Sequence, residues 1–309
     1  MTEHFPEISA VIPTYCNGGS LAGLAERLKA SLAGTGRSFE IIFVNDGSPD
    51  SSWEAIRAIC SAQKEVRGIN LMRNYGQQNA LLAGIMKAKG KIIVTLDDDF
   101  QNPPEEIPKL LAKIDEGYDL VYGTRQRERH GWARNMASRI SKKLVQWTMK
   151  APTAGSITSF RAFRAEIVQH GVQENPAAVF IDALLYWGTQ KIASVPVLHD
   201  ARLVGRSNYS WAKLVSHGFD MVTGLSSGPL HLASWLGFLV TSLGSILLAF
   251  VLGSYFFQTQ RVPGFTFLAA VIIVFSGVQL FVLGVIGEYL ARAYLRVLGK
   301  PAFLIKEVL

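Results

Sequence analysis

The sequence predicts an α/β protein with a mostly parallel sheet, followed by two membrane-spanning helices. Three observations predict it. Short apolar, β-branched runs alternate with helical patterns along the N-terminal part, as in a parallel sheet covered on both faces. The 309 residues are 49% hydrophobic with a mean hydropathy of +0.21, high for a chain wholly in water. No Asp, Glu, Lys or Arg occurs between Asp220 and Arg261, or between Arg261 and Glu288. Each of these stretches exceeds the roughly 20 apolar residues that carry a helix across a bilayer.

Ile8–Pro13 reads as a buried strand and Leu21–Leu32 as a helix. Glu40–Asn45 is a second strand, ended by the turn residues Asp46-Gly47-Ser48-Pro49. Ser51 or Ser52 can cap a helix over Trp53–Gln63. Val66–Met72 and Ile92–Leu96 are further strands around a helix over Gln77–Lys89, and Leu120–Gly123 adds a short strand. Beyond Gly123 the pattern changes. Trp132, Met136, Ile140, Leu144 and Trp147 recur at helical spacing among Arg125, Arg127, Arg129, Arg134, Arg139, Lys142 and Lys143. Such a basic amphipathic segment, about 130–150, suits the plane of a membrane interface. A second interfacial helix, Trp211–Leu225, leads into the first span.

The expected organisation is a catalytic domain over 1–210, a juxtamembrane helix over 211–229, two spans within 230–291 and a cytoplasmic tail over 292–309. The connector Gln258–Gly264 carries only Arg261, whereas Lys213, Arg292, Arg296 and Lys300 flank the spans. The positive-inside rule therefore puts both ends in the cytoplasm and the catalytic domain on the inner face of the cell membrane. No N-terminal signal peptide is expected. The formal charge of +7 is accounted for by an anionic membrane surface and anionic substrates, with no nucleic-acid partner. Cys16 and Cys60 are expected to be free thiols.

The chemistry concentrates in Thr95-Leu96-Asp97-Asp98-Asp99-Phe100-Gln101-Asn102-Pro103-Pro104. Three adjacent carboxylates after a strand repel one another unless a cation compensates them. Ligands of open α/β sheets bind beyond the carboxyl ends of the strands. Mg²⁺ or Mn²⁺, held by one or two carboxylates plus substrate phosphates, fits such a place. Asp46 ends the second strand at the same edge, where it could accept from a base or a ribose hydroxyl. No G-x-G-x-x-G and no P-loop motif is present, so neither a dinucleotide fold nor a P-loop enzyme is supported.

Together these residues resemble glycosyltransferase family 2, and within it the polyisoprenyl-phosphate glycosyltransferases. The resemblance runs through Val11-Ile12-Pro13-Thr14-Tyr15, Val44-Asn45-Asp46-Gly47-Ser48-Pro49-Asp50, Arg73-Asn74-Tyr75-Gly76-Gln77 and Asp97-x-Asp99-x-Gln101. It continues through Gly123-Thr124-Arg125 and Arg202-x-x-Gly205-x-Ser207-x-Tyr209 to the two apolar stretches. It implies a GT-A-type nucleotide-sugar-binding domain. Asp97, Asp99 and Gln101 would hold Mg²⁺ or Mn²⁺ on the donor diphosphate. Pro13, Tyr15, Asp46, Arg73, Asp97 and Asp98 would bind the nucleotide. Arg125, Arg139, Arg202 and Ser207 would receive the acceptor phosphate, with Asp99, Arg125 and Arg202 central to catalysis. The implied reaction is inverting transfer of a sugar, from a UDP-sugar by analogy, to a polyisoprenyl phosphate such as undecaprenyl phosphate. The product would serve cell-envelope glycan modification, lipopolysaccharide included, and relatives suggest a homo-oligomer, a tetramer.

The sequence departs from the family pattern at three places. Cys16-Asn17 stands where Asn-Glu is common, Asn208 where a lysine is common, and Ser159 where many members carry an aspartate two residues before Arg161. A phosphate monoester tolerates the last change. Its second pKa is near ~6, so it is mostly a dianion at neutral pH and needs no general base. Two other readings compete: a processive membrane polysaccharide synthase, which would normally carry Gln-x-x-Arg-Trp, and a non-enzymatic sugar-nucleotide-binding scaffold.

Overall fold

The computed structural model describes residues 5–125, 157–169, 181–200, 228–257, 264–298 and 301–309. The protein divides into two compact units, Met1–Asn208 with Gly299–Leu309, and Tyr209–Leu298.

The first unit is an eight-stranded sheet. Its strands are β1 (Ile8–Thr14), β2 (Phe39–Asn45), β3 (Val66–Leu71), β4 (Ile92–Thr95), β5 (Leu120–Arg125), β6 (Arg161–Arg164), β7 (Ile192–Val197) and β8 (Ile305–Val308). The spatial order is β7-β5-β6-β4-β1-β2-β3-β8. Strands β1 to β4 are parallel, and β5 runs parallel to β7, while β6 lies antiparallel between β4 and β5 and β8 antiparallel on β3. The sequence order turns back at β1, which has β2 on one side and β4 on the other. That reversal opens a crevice beyond the ends of β1 and β4.

Alternation along the strands sorts side chains to two faces. Ile8, Ala10 and Ile12 of β1 join Phe43 under α1 (Leu21–Ala33), α2 (Ser52–Ala62) and α4 (Ile107–Asp115). Val11, Ile42 and Val44 face the other way, under α3 (Gln77–Lys87) and α6 (Ile181–Gly188), with α5 (Glu166–Gln169) nearby. Gly84 is what lets α3 lie this close, because a Cβ there would come within 2.3 Å of Val11 Cγ1. The α2 cap differs from expectation. Neither Ser51 nor Ser52 caps by its hydroxyl; Asp50 Oδ1 accepts both the Ser52 amide at 3.2 Å and the Ser52 hydroxyl at 2.7 Å. A carboxylate is the stronger acceptor at the positive helix terminus.

Two findings extend the sequence expectation. The sheet does not end at Gly123: β5 runs on to Arg125, and β6 and β7 follow. The expected cytoplasmic tail is structured at its end. Ile305–Val308 pairs with β3, Glu307 Oε2 accepts from Trp53 Nε1 at 3.2 Å, and Arg57 ion-pairs with Glu307 at 3.0 Å.

The second unit holds α7 (Gly228–Phe257, 30 residues) and α8 (Phe265–Val297, 33 residues). They pack on each other where Gly244 admits Phe275, whose Cζ would lie 2.3 Å from an added Cβ. Leu232, Trp235, Phe238, Leu243, Ile246 and Phe250 of α7 are all exposed and lie along one side of the helix. Four of its hydroxyls are satisfied internally: Ser234, Thr241, Ser242 and Ser245 donate to the carbonyls four residues earlier. Among the residues whose side chains are described, no helical stretch is long and apolar enough to cross a membrane. Several side chains in both helices, 251–257 among them, fall outside that set. The segments expected to form interfacial helices, 130–150 and 211–225, also lie outside the described residues.

Candidate active site

The loops after β1, β2, β3 and β4 meet at one edge of the sheet, and hydrogen bonds lock them together. The Cys16 amide donates to Ser48 Oγ at 3.1 Å, the Asn17 amide to Ser52 Oγ at 3.2 Å, and the Asp46 amide to the Thr14 carbonyl at 3.0 Å. Across the crevice between β1 and β4, Asn17 Nδ2 donates to the Asp98 carbonyl at 2.8 Å. This asparagine at a departure from the family pattern therefore bridges the two sides of the crevice.

Asp46 is buried, and it is used by the protein itself. The Tyr75 amide donates to Oδ1 at 2.7 Å and the Gly76 amide to Oδ2 at 2.9 Å. Burial nevertheless raises its pKa above the ordinary value, against the two amides. Asp46 thus shapes the loop between β3 and α3, which presents Arg73 with its guanidinium 4.5 Å from the Tyr75 ring centre. Gly47 is required at this contact: its φ is +61°, and a Cβ would approach the Arg73 carbonyl carbon to 2.3 Å. Pro13 is buried near the end of β1, while Tyr15 just beyond is half exposed. Tyr15, Asp46 and Arg73 are therefore brought to the same edge, the tyrosine and the arginine open to solvent.

The acidic run follows β4. Asp97 Oδ1 accepts from Gln77 Nε2 and Oδ2 from Ser159 Oγ, each at 2.5 Å. Asp98 Oδ2 is buried with no hydrogen-bond partner. Burial, with help from Asp97 and Asp99, pushes the Asp98 carboxyl up to about 7. Asp99 Oδ1 accepts the Gln101 amide at 3.1 Å. Phe100 adopts φ +60°, held under the Arg27 guanidinium at 5.5 Å, and Arg27 is itself paired with Glu105 at 2.7 Å.

These residues fit a hard divalent cation. The donors are oxygens, and Asp98 Oδ2 is a buried acceptor without a partner. No three His, Cys, Asp or Glu side chains among the described residues form a complete metal cage. A cation placed here would need ligands beyond these side chains.

The other wall is built by elements that the sequence reading did not place. Arg161 and Asp182 form a buried ion pair, and Tyr122 Oη donates to the same Asp182 oxygen at 2.9 Å. The Leu198 amide donates to buried Glu106 at 3.1 Å and the Asp200 amide to the Gln101 carbonyl at 3.0 Å, so the chain leaving β7 is tied to the acidic loop. Arg125 is the last residue of β5; its side chain is outside the described set, as are Arg139, Arg202 and Ser207 altogether. Gln77, Asn17 and Glu106 were missed as site-building residues. Gln77 was legible only as the end of the Arg-Asn-Tyr-Gly-Gln run.

Residues 9–171 match the profile of Glycosyl transferase family 2. The chain is 37% identical to an undecaprenyl-phosphate 4-deoxy-4-formamido-L-arabinose transferase of Enterobacter sp. (strain 638), over 99% of this chain and 94% of the relative. It is 36% identical to the protein of that name from Klebsiella pneumoniae subsp. pneumoniae, over 98% and 93%. Among solved structures, glucosyl-3-phosphoglycerate synthase from Mycobacterium tuberculosis, in complex with Mn²⁺, UDP-glucose and phosphoglyceric acid, shares the fold. It has a TM-score of 0.51 at 20% identity, over 71% of this chain and 78% of that one.

Proposed function

The chain belongs to glycosyltransferase family 2, among its polyisoprenyl-phosphate glycosyltransferases, and we propose that it moves a sugar from a uridine diphosphate donor to undecaprenyl phosphate. The observation that carries the reading is the acidic loop Asp97–Gln101, set beside the Asp46–Arg73 loop at the sheet's switch point and left with an unpartnered buried carboxylate oxygen. The near full-length relatives make a formamido-arabinose donor the first to test.

Asp97, Asp99 and Gln101 are the residues that would hold Mg²⁺ or Mn²⁺, which supplies Lewis-acid stabilisation of the leaving diphosphate. Tyr15 and Arg73 are exposed at the edge where the nucleoside would lie. Arg125, at the end of β5, is assigned to the acceptor phosphate with Arg139, Arg202 and Ser207. An arginine's fixed fork of donors suits a phosphate. A phosphate oxygen attacks the anomeric carbon, the bond from that carbon to the donor diphosphate breaks, and UDP leaves. In-line displacement inverts the anomeric centre. Ser159 in place of a carboxylate is compatible with this chemistry, since the acceptor is mostly a dianion at neutral pH.

The two long helices are read as membrane spans with the catalytic unit on the cytoplasmic face. The support is the absence of Asp, Glu, Lys and Arg from Gly228–Phe257, the large apolar side chains that α7 exposes, and four hydroxyls satisfied within the helix, as a medium without water requires.

The test is mass spectrometry of the lipid formed from undecaprenyl phosphate and a panel of nucleotide sugars, with Mn²⁺. A glycosyl phospholipid of inverted configuration is expected from at least one UDP-sugar. Chelation with EDTA should abolish product and added Mn²⁺ restore it. Asp99→Asn should reduce turnover more than tenfold, or at least ~1.4 kcal/mol in barrier. Activity that ignores EDTA and survives Asp99→Asn overturns the metal assignment.

A further inference from the structure

Ser159 lies 62 residues from Asp97 in sequence, yet its hydroxyl donates to Asp97 Oδ2, while Gln77 Nε2 donates to Oδ1. We propose that Ser159, with Gln77, is a positioning residue that fixes the Asp97 carboxylate for divalent-cation binding. This rests on the functional reading above and assigns Ser159 a part in it.

The placement of Ser159 is over-determined. Its carbonyl accepts Thr95 Oγ1 at 2.7 Å, and the neighbouring Thr158 Oγ1 donates to the Gly123 carbonyl at 2.9 Å. Two residues on, Arg161 sits opposite Thr95 in the antiparallel register of β4 and β6. Its guanidinium is buried against Asp182, which Tyr122 also engages. The start of β6 is thereby pinned to β4, to β5 and to α6, and the Ser159 side chain is delivered to Asp97 Oδ2 while Gln77 reaches Oδ1.

The chemistry of the two donors matters as much as their position. Both are neutral, so they orient Asp97 without cancelling its charge. A lysine or arginine at either place would neutralise the carboxylate and compete with a cation. A carboxylate at 159 would add a further repulsion to three that already crowd the loop. A carboxylate oxygen has two acceptor sites, so a hydrogen bond that orients it does not by itself prevent it from ligating. A metal ligand whose orientation depends on such outer contacts typically loses roughly 10–100-fold in affinity when they are removed.

The experiment uses the full chain in detergent micelles with UDP, titrated with Mn²⁺ and followed by the electron paramagnetic resonance signal of free Mn²⁺. Ser159→Ala should weaken Mn²⁺ binding by about tenfold, with UDP affinity in the absence of metal unchanged. Ser159→Thr, which keeps the hydroxyl, should bind Mn²⁺ within about twofold of the parent. Ser61→Ala, at an exposed serine on α2, is the control. Ser159→Ala binding Mn²⁺ as tightly as the parent overturns the inference, and so does Ser159→Thr being as defective as Ser159→Ala. Failure of the parent itself to take up Mn²⁺ with UDP would instead overturn the functional reading. Thermal melting separates a folding defect: a purely structural role lowers Tm while leaving the Mn²⁺ affinity of the folded protein unaltered.

Discussion

Asp46 offers the sharpest test of how the nucleotide edge is built. Replacing it with Asn keeps the volume but turns one acceptor into a donor. In the native protein its two oxygens accept the Tyr75 and Gly76 amides at 2.7 and 2.9 Å. Hydrogen bonds to a charged group are worth roughly 1.5–3 kcal/mol each. The asparagine can satisfy one amide and must set its own N–H against the other. The loss is about one such bond plus an unpaired buried donor, offset by relief of the burial cost that raises the Asp46 pKa. A net cost of about 2–3 kcal/mol follows, a fall in Tm of roughly 5–10 °C for a unit of this size. Deuterium exchange followed by mass spectrometry should show the loop 72–77 opening, and UDP affinity should fall with it, because Arg73 is carried by that loop. The pH dependence has a definite sign. Folded Asp46 holds its proton to a higher pH than the unfolded chain, so its contribution to stability declines as pH rises from about 4. Asp46→Asn should remove that component. If UDP affinity collapses in Asp46→Asn while Tm and loop exchange match the parent, Asp46 is a direct ligand and the loop-shaping argument is refuted.

Three further outcomes can be measured. Burial pushes the Cys60 thiol up to about 11, whereas Cys16 is exposed; iodoacetamide at pH 8 should label Cys16 and spare Cys60. Stability should fall above about pH 9, where an unfolded Cys60 gives up its proton first, and equal labelling of both thiols in the folded protein would contradict the burial argument. Removing residues 302–309 should uncover the β3 edge and the Trp53 indole, shifting tryptophan emission to the red and lowering Tm by roughly 5–10 °C, whereas Glu307→Ala alone should cost about 1–3 kcal/mol, mostly through the Trp53 N–H it leaves unpaired rather than the exposed ion pair with Arg57; an unchanged melt after truncation would show that β8 does not stabilise the sheet. Arg125→Ala should raise the KM for lipid phosphate or lower kcat with nucleotide affinity little changed, and Arg125→Lys should recover only part of the loss; a collapse of nucleotide affinity in calorimetry would place Arg125 on the donor side.

Much of the fold and half of the site were legible in the sequence. β1 to β5 and α1 to α3 are dense, locally periodic segments, and their own pattern marks them as strands or helices; the helix Ile107–Asp115 was not read from the sequence. The acidic run and the Asp46 turn could be placed at one edge because each follows a strand in a parallel arrangement. What local pattern could not supply were partners. β6 is four residues with an arginine at each end, β7 is only partly buried, and β8 follows a long apolar helix; each becomes a strand because a neighbour offers it an edge. The α2 cap passed from the serines to Asp50 for a similar reason, since geometry decides which oxygen reaches the free amide. Asp46 reads as a ligand in sequence, but folding brings the Tyr75 and Gly76 amides to it.

The sequence by itself determined an α/β sheet, an acidic loop at a strand end and two long stretches without Asp, Glu, Lys or Arg, because periodicity and charge are local properties of a chain. Only the tertiary structure decided that Gln77, Asp97 and Ser159 share one carboxylate, that Arg161 and Asp182 pin the wall behind it, and that the C-terminus returns to the sheet. Those contacts join residues 20 to more than 200 positions apart, and they form because burying strand edges and charges requires a partner that only the folded chain brings near.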